Sequence, residues 1–451
     1  MLRCVTAAYV AALPQCGAIP ANAVSPPSID HRRLPQPEPA RPPRPTVQRE
    51  ICAVPSLIHD ANGIRNSQLS VLDLPRVWTL SRGTGQRVAV IDTGVSPHPR
   101  LPQITAGGDY VFSGDGTQDC DGHGTAVAGI IAAATVPGHA DDFGGVAPDV
   151  QVISIRQSSA KFGPAADPST SGVGDVDTMA KAVRTAADLG ASVINISSVA
   201  CVGVGSAFDD HALGAALAYA VDTKNAVVVA AAGNSGPGQC PAQQAQATWD
   251  TATVLVSPAW YDDYVLTVGS IDPHGEPSSF TLAGPWVDVA APGEGVLSLS
   301  SSGAGLANAV DGEHGPVPLA GTSYAAPVVS GLAALIRSRF PQLTARQVMQ
   351  RITATAHHPP TGRDPRVGAG LVDFLAAVST DPPTNPAAQA TRTAVPIPEP
   401  AHPVRVDRRA QRTALAGAAI CGGALTAVLS LSALRGRLRR ATPTDRNILR
   451  D

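Results

Sequence analysis

The sequence is poor in charged residues. Asp, Glu, Lys and Arg make up 15% of its 451 residues, and the formal net charge at pH 7 is −3. Proteins that bind nucleic acid through electrostatic attraction carry a marked basic excess, so the charge balance gives no case for a nucleic-acid partner. Alanine, glycine and valine are abundant instead. These small residues predict a core in which helices and sheet approach each other closely.

Patterns that bind metals are also missing from the sequence. There is no C-x-x-C pair and no His/Cys cluster with the spacing of a structural zinc site. The sequence also contains no recognisable complete set of oxygen ligands for calcium. We therefore predict no metal site and no cofactor.

Both ends of the chain have the features of membrane targeting. Arg3 precedes an apolar run at 4–13, and Ala21-Asn22-Ala23 fits an A-x-A cleavage site, so residues 1–23 are predicted to be a signal peptide. The competing interpretation is a disordered apolar tail. A cleaved signal peptide would place the bulk of the chain outside the cytoplasmic membrane.

A second apolar segment lies near the C-terminus. Residues 413–434 contain no charge, and a helix of that length spans about 33 Å, enough to cross a bilayer. Arginine-rich stretches bracket the segment and nothing follows that could bury it, which argues against a core helix. We predict a single-pass membrane helix at 413–434 and a cytoplasmic tail at 435–451.

The cysteines agree with an exported domain. Of the seven in the chain, four are expected to remain outside the membrane: Cys52, Cys120, Cys201 and Cys240. An even number in an exported protein predicts two disulfide bonds. Four cysteines allow three pairings, and the residues alone do not choose among them.

Proline marks the limits of the globular part. Eight prolines fall within 26–45, and seven fall within 379–403. Such segments form neither compact helices nor central strands, so they should be extended. We therefore predict an N-terminal extension at 24–70, a globular domain at 71–378 and a semi-rigid stalk at 379–412.

Within the globular domain, apolar strand-like runs alternate with helical patterns. This alternation predicts an α/β fold with a parallel sheet and helices on both faces. The capping-box pair Thr344 and Gln347 predicts the start of a further helix. Three irregular stretches, at 157–174, 239–258 and 300–318, are expected to be surface loops. The predicted strands are 87–91, 150–155, 192–197, 226–231 and 265–268, and the predicted helices are 123–134, 176–189, 207–223 and 323–340.

Four short motifs lie at the ends of these elements. AVIDTGV places Asp92 at the end of a strand, and DGHGTAVAGI places His123 at the start of a helix. VVVAAAGNSG places Asn234 after an apolar strand, and LAGTSYAAP places Ser323 at another helix start. Asn234 and Ser323 also have purely structural interpretations, because asparagine is common in turns and serine is common at helix N-caps. An aspartic protease is disfavoured because no second D-T-G or D-S-G supplies the partner carboxylate.

Taken together, the four residues indicate the chemistry of acyl transfer. A serine hydroxyl needs a neutral histidine to accept its proton, and the histidine needs a carboxylate to hold its tautomer. The side-chain amide of Asn234 and the backbone N–H of Ser323 could stabilise the oxyanion. The predicted catalytic residues are Asp92, His123 and Ser323, with Asn234 and Ser323 forming the oxyanion hole.

The order Asp, His, Ser is the subtilisin order. The segments VAVIDTGV, GHGTAVAGII, VINIS, AAAGNSG, VDVAAPG, GTSYAAP and GAGLVDFLAAV resemble those of the subtilisin family, or subtilases, across 87–378. The flanking signal peptide, proline-rich segments and C-terminal membrane helix make the chain similar to the mycosins. These are membrane-anchored subtilases of actinobacterial type VII (ESX) secretion systems.

The resemblance implies further features of this chain. It implies a Cys52–Cys120 bond, a Cys201–Cys240 bond and an N-terminal extension that is retained rather than released. It also implies a substrate channel lined by Ser197, Ser198, Val199, Ala232 and Gly233. After VINIS the chain reads SVAC, where subtilisins usually have a leucine and two glycines, so its substrate preference is left open.

Two functions follow from these expectations. The first is a membrane-anchored serine endopeptidase that cuts peptide or protein substrates outside the cytoplasmic membrane, processes secreted substrates and supports a type VII secretion complex. The alternative is a mainly structural subunit of that membrane complex, with little or no required proteolysis.

Overall fold

The computed structural model describes residues 24–58, 67–135, 143–236, 239–312 and 314–379. All of them belong to the first of two units into which the chain divides, which ends at Pro382. The predicted signal peptide, membrane span, tail and all but the first residue of the stalk lie outside this part of the chain. Within it, no helix combines the length and the apolar character needed to cross a bilayer.

A seven-stranded parallel sheet forms the centre of the domain, as the alternating pattern predicted. Its spatial order is β12-β11-β9-β7-β3-β5-β4, and every neighbouring pair runs parallel. The strands are β3 (Arg87–Asp92), β4 (Ile104–Asp109), β5 (Gln151–Arg156), β7 (Val193–Ile196), β9 (Val227–Ala231), β11 (Leu266–Ile271) and β12 (Val287–Pro292).

The central strands are buried at nearly every position. Successive side chains of a strand point to opposite faces, so this burial requires cover on both faces of the sheet. Valine and isoleucine dominate these strands because β-branched side chains pack well on a pleated surface. The sheet is therefore the rigid support from which the strand ends project.

The helices form two groups. The α-helices of the described residues are α1 (Leu74–Trp78), α2 (His123–Ala132), α3 (Val176–Asp188), α4 (His211–Ala218), α5 (Thr322–Arg339), α6 (Ala345–Thr355) and α7 (Phe374–Ser379). Helices α2 and α5 contact each other and the sheet, and α3 packs with α4. The predicted capping box is confirmed: Thr344 accepts from Gln347 N, and the Gln347 side chain accepts from Thr344 N.

The N-terminal extension lies along the surface of the domain. The Val24 amide bonds to the Trp249 carbonyl, 2.7 Å away, and Arg33 pairs with Asp209 at 2.7 Å. Strands β1 (Thr46–Gln48) and β2 (Pro55–Ile58) then each add to a strand of the domain. The extension is thus held by backbone pairing at two separate places.

The three stretches expected to be surface loops instead contain strands, and that prediction is wrong. Strand β6 (Phe162–Pro164) pairs with β1, and β10 (Val254–Ser257) pairs with β8 (Ala200–Gly203). Strand β14 (Leu306–Gly312) pairs with β2, β13 (Ser298–Leu299) and β15 (Gly315–Pro318). Strands β6 and β10 are short and take distant partners, so local periodicity did not reveal them, and β14 pairs with the distant β2 as well as with its neighbour β15.

The bond between Cys52 and Cys120 should contribute strongly to stability. It joins the extension to the domain across 68 residues of sequence. In the chain-entropy model, closing a loop of that size removes about 4 kcal/mol of unfolded-state entropy. We expect Cys52→Ser/Cys120→Ser to lower the free energy of unfolding by about that amount, measured by denaturant titration of the detergent-solubilised chain. An unchanged midpoint and slope would show that β1 and β2 suffice to hold the extension.

Candidate active site

Asp92 ends β3 and is buried beneath the carboxyl edge of the sheet, with 2% of its side chain exposed. Its Oδ1 accepts hydrogen bonds from Thr93 N at 2.8 Å and from His123 Nδ1 at 2.7 Å. Because β3, β7 and β9 are neighbours in a parallel sheet, the residues that follow them meet at this edge. Ser197 and Asn234 lie just beyond β7 and β9.

His123 is the first residue of α2, where the backbone is fixed from both sides. Gly124 must be a glycine, because a Cβ there would lie 2.0 Å from the Gly94 carbonyl oxygen. Asp119 accepts hydrogen bonds from the backbone amides of Gly122 and Thr125, both at 2.8 Å. The carboxylate therefore satisfies two amides at a helix start whose N-cap glycine has no side chain to do so.

The protonation of His123 is governed by opposing effects. Burial lowers the pKa of its imidazole, but the charge and hydrogen bond of Asp92, together with the charges of Asp119 and Asp121, raise it by more. The net shift is upward. Burial also raises the pKa of Asp119 to about 6, in spite of hydrogen bonds from Thr125 and Thr93. Asp119 consequently changes protonation state at weakly acidic pH, whereas the protonated form of His123 persists to higher pH than that of a free imidazole.

Ser323 occupies the first turn of α5, and its carbonyl accepts a hydrogen bond from Ser197 Oγ at 2.8 Å. Asn234 is tied to the same turn, because its Oδ1 accepts from Thr322 N and Thr322 Oγ1, both at 2.9 Å. These bonds orient the amide so that Nδ2 is the free donor. A Cβ built on Gly321 would lie 3.1 Å from Asn234 Nδ2 and 3.0 Å from Ser323 Oγ, so both atoms border one small space.

The predicted catalytic and oxyanion residues line a single cleft of about 1390 Å³; they are Asp92, His123, Asn234 and Ser323. Asp92 and His123 are hydrogen-bonded, whereas among the described residues no hydrogen bond joins Ser323 to His123. Such contacts are often long in unliganded sites and tighten when substrate binds. The cleft wall includes Ile51, Cys52, Ala53 and Val54 of the extension, beside the Cys52–Cys120 bond.

Of the five residues predicted to line the substrate channel, four lie in the wall of the cleft and one does not. Ser197, Ser198, Val199 and Gly233 line the cleft. Ala232 does not; it is fully buried, and Ala231 lines the cleft instead. The Ala232 amide bonds to the Val268 carbonyl at 2.9 Å, which holds this residue within the sheet layer. Both disulfide bonds implied by the family resemblance, Cys52–Cys120 and Cys201–Cys240, are present.

The sequence motifs did not predict the roles of three residues at the site. Asp119 anchors the start of α2, and Thr322 orients Asn234. The Tyr324 ring lies beside the His123 ring, with 5.0 Å between centroids. The position of Asp119 three residues before the helix N-cap could have signalled its capping role. Thr322 and Asn234 are 88 positions apart, and His123 and Tyr324 are farther apart still. No local sequence pattern could therefore have indicated these two contacts.

A serine peptidase site of this kind needs a buried carboxylate, a histidine hydrogen-bonded to that carboxylate, a serine at a helix start and an oriented amide. The cleft contains one residue of each kind. Their order along the chain and the parallel sheet beneath them define the subtilase class. The subtilase family profile matches residues 83–370 of this chain, and the chain belongs to that family.

Within the family, the chain is similar to the mycosins over nearly its whole length. It is 63% identical to Mycosin-4 of Mycobacterium tuberculosis across 441 residues, which cover 97% of each chain. The solved MycP3 protease from the type VII (ESX-3) secretion system is 47% identical, with a TM-score of 0.74, and covers 79% of this chain and 100% of its own. A chain in the structure of an intact ESX-5 inner membrane complex is 40% identical, with a TM-score of 0.75, and covers 90% of this chain and 100% of its own.

Proposed function

We propose that this chain is a membrane-anchored serine endopeptidase in which Asp92, His123 and Ser323 form the catalytic triad. The observation that carries the proposal is the single cleft that brings the hydrogen-bonded Asp92–His123 pair together with Ser323 and the oriented amide of Asn234. Membership of the subtilase family supports the same reaction.

The first half of the reaction is formation of an acyl-enzyme. Nδ1–H of His123 donates to Asp92, which leaves Nε2 as the base that accepts the Ser323 proton. Ser323 Oγ then attacks the substrate carbonyl. The resulting oxyanion receives hydrogen bonds from Asn234 Nδ2 and Ser323 N, and the protonated imidazole gives its proton to the leaving amine.

The second half repeats these steps with water. The imidazole takes a proton from water, and the hydroxide attacks the acyl-enzyme carbonyl. The same two donors hold the second oxyanion. Collapse of this intermediate returns the proton to Ser323 and releases the acid product.

The location of the activity follows from the sequence rather than from the described residues. The predicted signal peptide and the predicted membrane span at 413–434 place the catalytic domain on the extracytoplasmic side of the cell membrane, with a cytoplasmic C-terminus. Similarity to a chain of an ESX-5 inner membrane complex supports a role beside type VII secretion components. The substrates would be secreted proteins that such a system exports.

A scaffold role in the secretion complex is the second candidate. It is favoured by the same similarity to a chain within a solved membrane complex and by the extension paired to the domain at β1 and β2. The two functions are compatible, since Ile51, Cys52, Ala53 and Val54 of the extension line the wall of the cleft that Ser323 and Asn234 also line.

Reaction with a serine-directed phosphonate probe tests the peptidase proposal. Membranes carrying the full chain are treated with the probe, and the adduct is located by peptide mapping. We expect a single adduct on Ser323, because an activated serine reacts and an ordinary helix-cap serine does not. An unlabelled chain, or an adduct on another residue, would refute the nucleophile assignment.

A further inference from the structure

The N-terminal extension supplies one wall of the cleft, and this extension wall stands beside His123. The Ala53 amide donates to the carbonyl of Cys120, three residues before His123, at 2.8 Å. The Cys52–Cys120 bond makes a second link at the same place. The wall is therefore fixed next to the group that transfers the proton in the proposed reaction. The residues of the extension wall are Ile51, Cys52, Ala53 and Val54.

The extension wall is also held at both of its ends by backbone hydrogen bonds. Before it, the amides of Arg49 and Glu50 donate to the Lys161 carbonyl at 2.8 and 3.2 Å. After it, the Asp311 amide donates to the Val54 carbonyl at 2.9 Å, and β2 continues by pairing with β14. A segment that is fixed at its ends and in its middle presents its side chains in constant positions, so little ordering is needed when a ligand binds.

Two side chains of the extension wall are apolar and exposed. Ile51 is 84% exposed and Val54 is 53% exposed. Val310 of β14, whose neighbour Asp311 is bonded to Val54, lines the same cleft and extends the apolar surface. Water solvates such a surface poorly, and burial beneath a ligand is favourable. Adjoining apolar groups on a fixed wall of a cleft therefore indicate a surface that a ligand covers.

The proposed reaction determines which part of a substrate reaches this surface. Asn234 binds the carbonyl oxygen, and the imidazole of His123 gives its proton to the leaving amine. Asn234 follows β9, whereas His123 is bonded to Asp92 at the end of β3, and β7 lies between these two strands. The leaving amine is thus on the side of the cleft where the extension lies, and the residues attached to that amine pass the extension wall.

We propose that Ile51 and Val54 bind the residues that follow the cleaved bond, so that the chain prefers substrates whose leaving segment begins with apolar residues. This inference rests on the proposed peptidase function and specifies its substrate class. Ile51 and Val54 are three residues apart, which is at most about 10 Å in an extended chain, so the wall can contact about three substrate residues. The extension then contributes to substrate recognition as well as to stability.

Paired peptides test this assignment. The two peptides share every residue before the cleaved bond and differ in the three that follow, which are valine, leucine and valine in one and the similarly sized threonine, asparagine and threonine in the other. We expect the purified full chain to prefer the apolar peptide by about 10-fold in kcat/KM, the lower end of the range for one methylene group in an apolar pocket. Ile51→Ser/Val54→Ser should reduce this ratio to about 1. Mass spectrometry of the products verifies that both peptides are cut at the same bond.

Val47→Ser is the matched control. Val47 belongs to β1 of the same extension and is 38% exposed, but it does not line the cleft. This variant should keep the preference of about 10-fold. The single variants Ile51→Ser and Val54→Ser should each reduce the ratio in part, and they provide the test if the double variant folds poorly.

The outcomes separate this inference from the peptidase proposal. Equal use of the two peptides by the wild type, or a preference that survives in Ile51→Ser/Val54→Ser, would overturn the role of the extension wall and leave the peptidase intact. A surviving preference together with impaired assembly of the membrane complex would assign the wall to a partner subunit instead. If neither peptide is cleaved and the phosphonate probe does not label Ser323, the peptidase function fails, and the role of the wall fails with it.

Discussion

Ser323→Ala should lower kcat by about 10⁶-fold, the loss known for removal of the nucleophile in subtilisin. The side chain of Ser323 borders the same space as Asn234 Nδ2, and its oxygen is the proposed attacking atom. Loss of one oxygen should leave the fold intact, because the contact that holds this turn uses the Ser323 carbonyl. Hydrolysis of a peptide substrate by the purified chain measures the effect.

The same variant separates proteolysis from scaffolding. Secretion of substrates and assembly of the membrane complex are scored in cells that carry Ser323→Ala. Lost hydrolysis with normal secretion would assign secretion to the scaffold, and loss of both would tie secretion to cleavage. Ser338→Ala is a suitable control, because Ser338 lies in the last turns of the same helix and only donates a hydrogen bond to Thr84. Peptidase activity that survives Ser323→Ala would contradict the triad.

The sequence predicted this site well where function depends on the ends of regular elements. Asp92, His123 and Asn234 each follow or begin a segment with strong periodicity, so a parallel sheet had to bring them to one edge. Strand β4 was missed, because its two glycines and its place at the sheet edge weaken the strand pattern. The fold class was therefore predictable although two strands of the sheet, β4 and β12 at its opposite edges, were not.

Other features depended on contacts that no local pattern encodes. The placement of Ala232 shows that neighbouring residues at one strand end differ, since Ala231 lines the cleft and Ala232 does not, although both are buried. The predicted helix at 207–223 begins only at His211, because Asp210 is engaged by Ser257, Trp260 and Tyr261. Beyond Ala218 the helix continues as a π-helical turn. Both outcomes are set by packing between distant segments.

Asp92→Asn should lower kcat by about 10⁴-fold while it leaves Ser323 in place. In the wild type, Asp92 Oδ1 accepts from His123 Nδ1 and so fixes the tautomer whose Nε2 accepts a proton. An asparagine amide can donate to Nδ1 instead, which would place the proton on Nε2 and remove the base. Asp149→Asn, which removes a half-exposed partner of Arg82, serves as the control and should retain activity.

The pH profile distinguishes this effect from a general loss of structure. The base must be neutral to act, so wild-type activity should fall as the pH drops through the raised pKa of His123. Asp92 supplies the charge and the hydrogen bond that raise that pKa against the effect of burial. In Asp92→Asn the effect of burial is opposed only by the charges of Asp119 and Asp121, so the pKa of His123 falls and the acid limb of the residual activity should move to lower pH. A residual profile with an unmoved acid limb would mean that Asp92 only supports the fold, and that another group sets the protonation of His123.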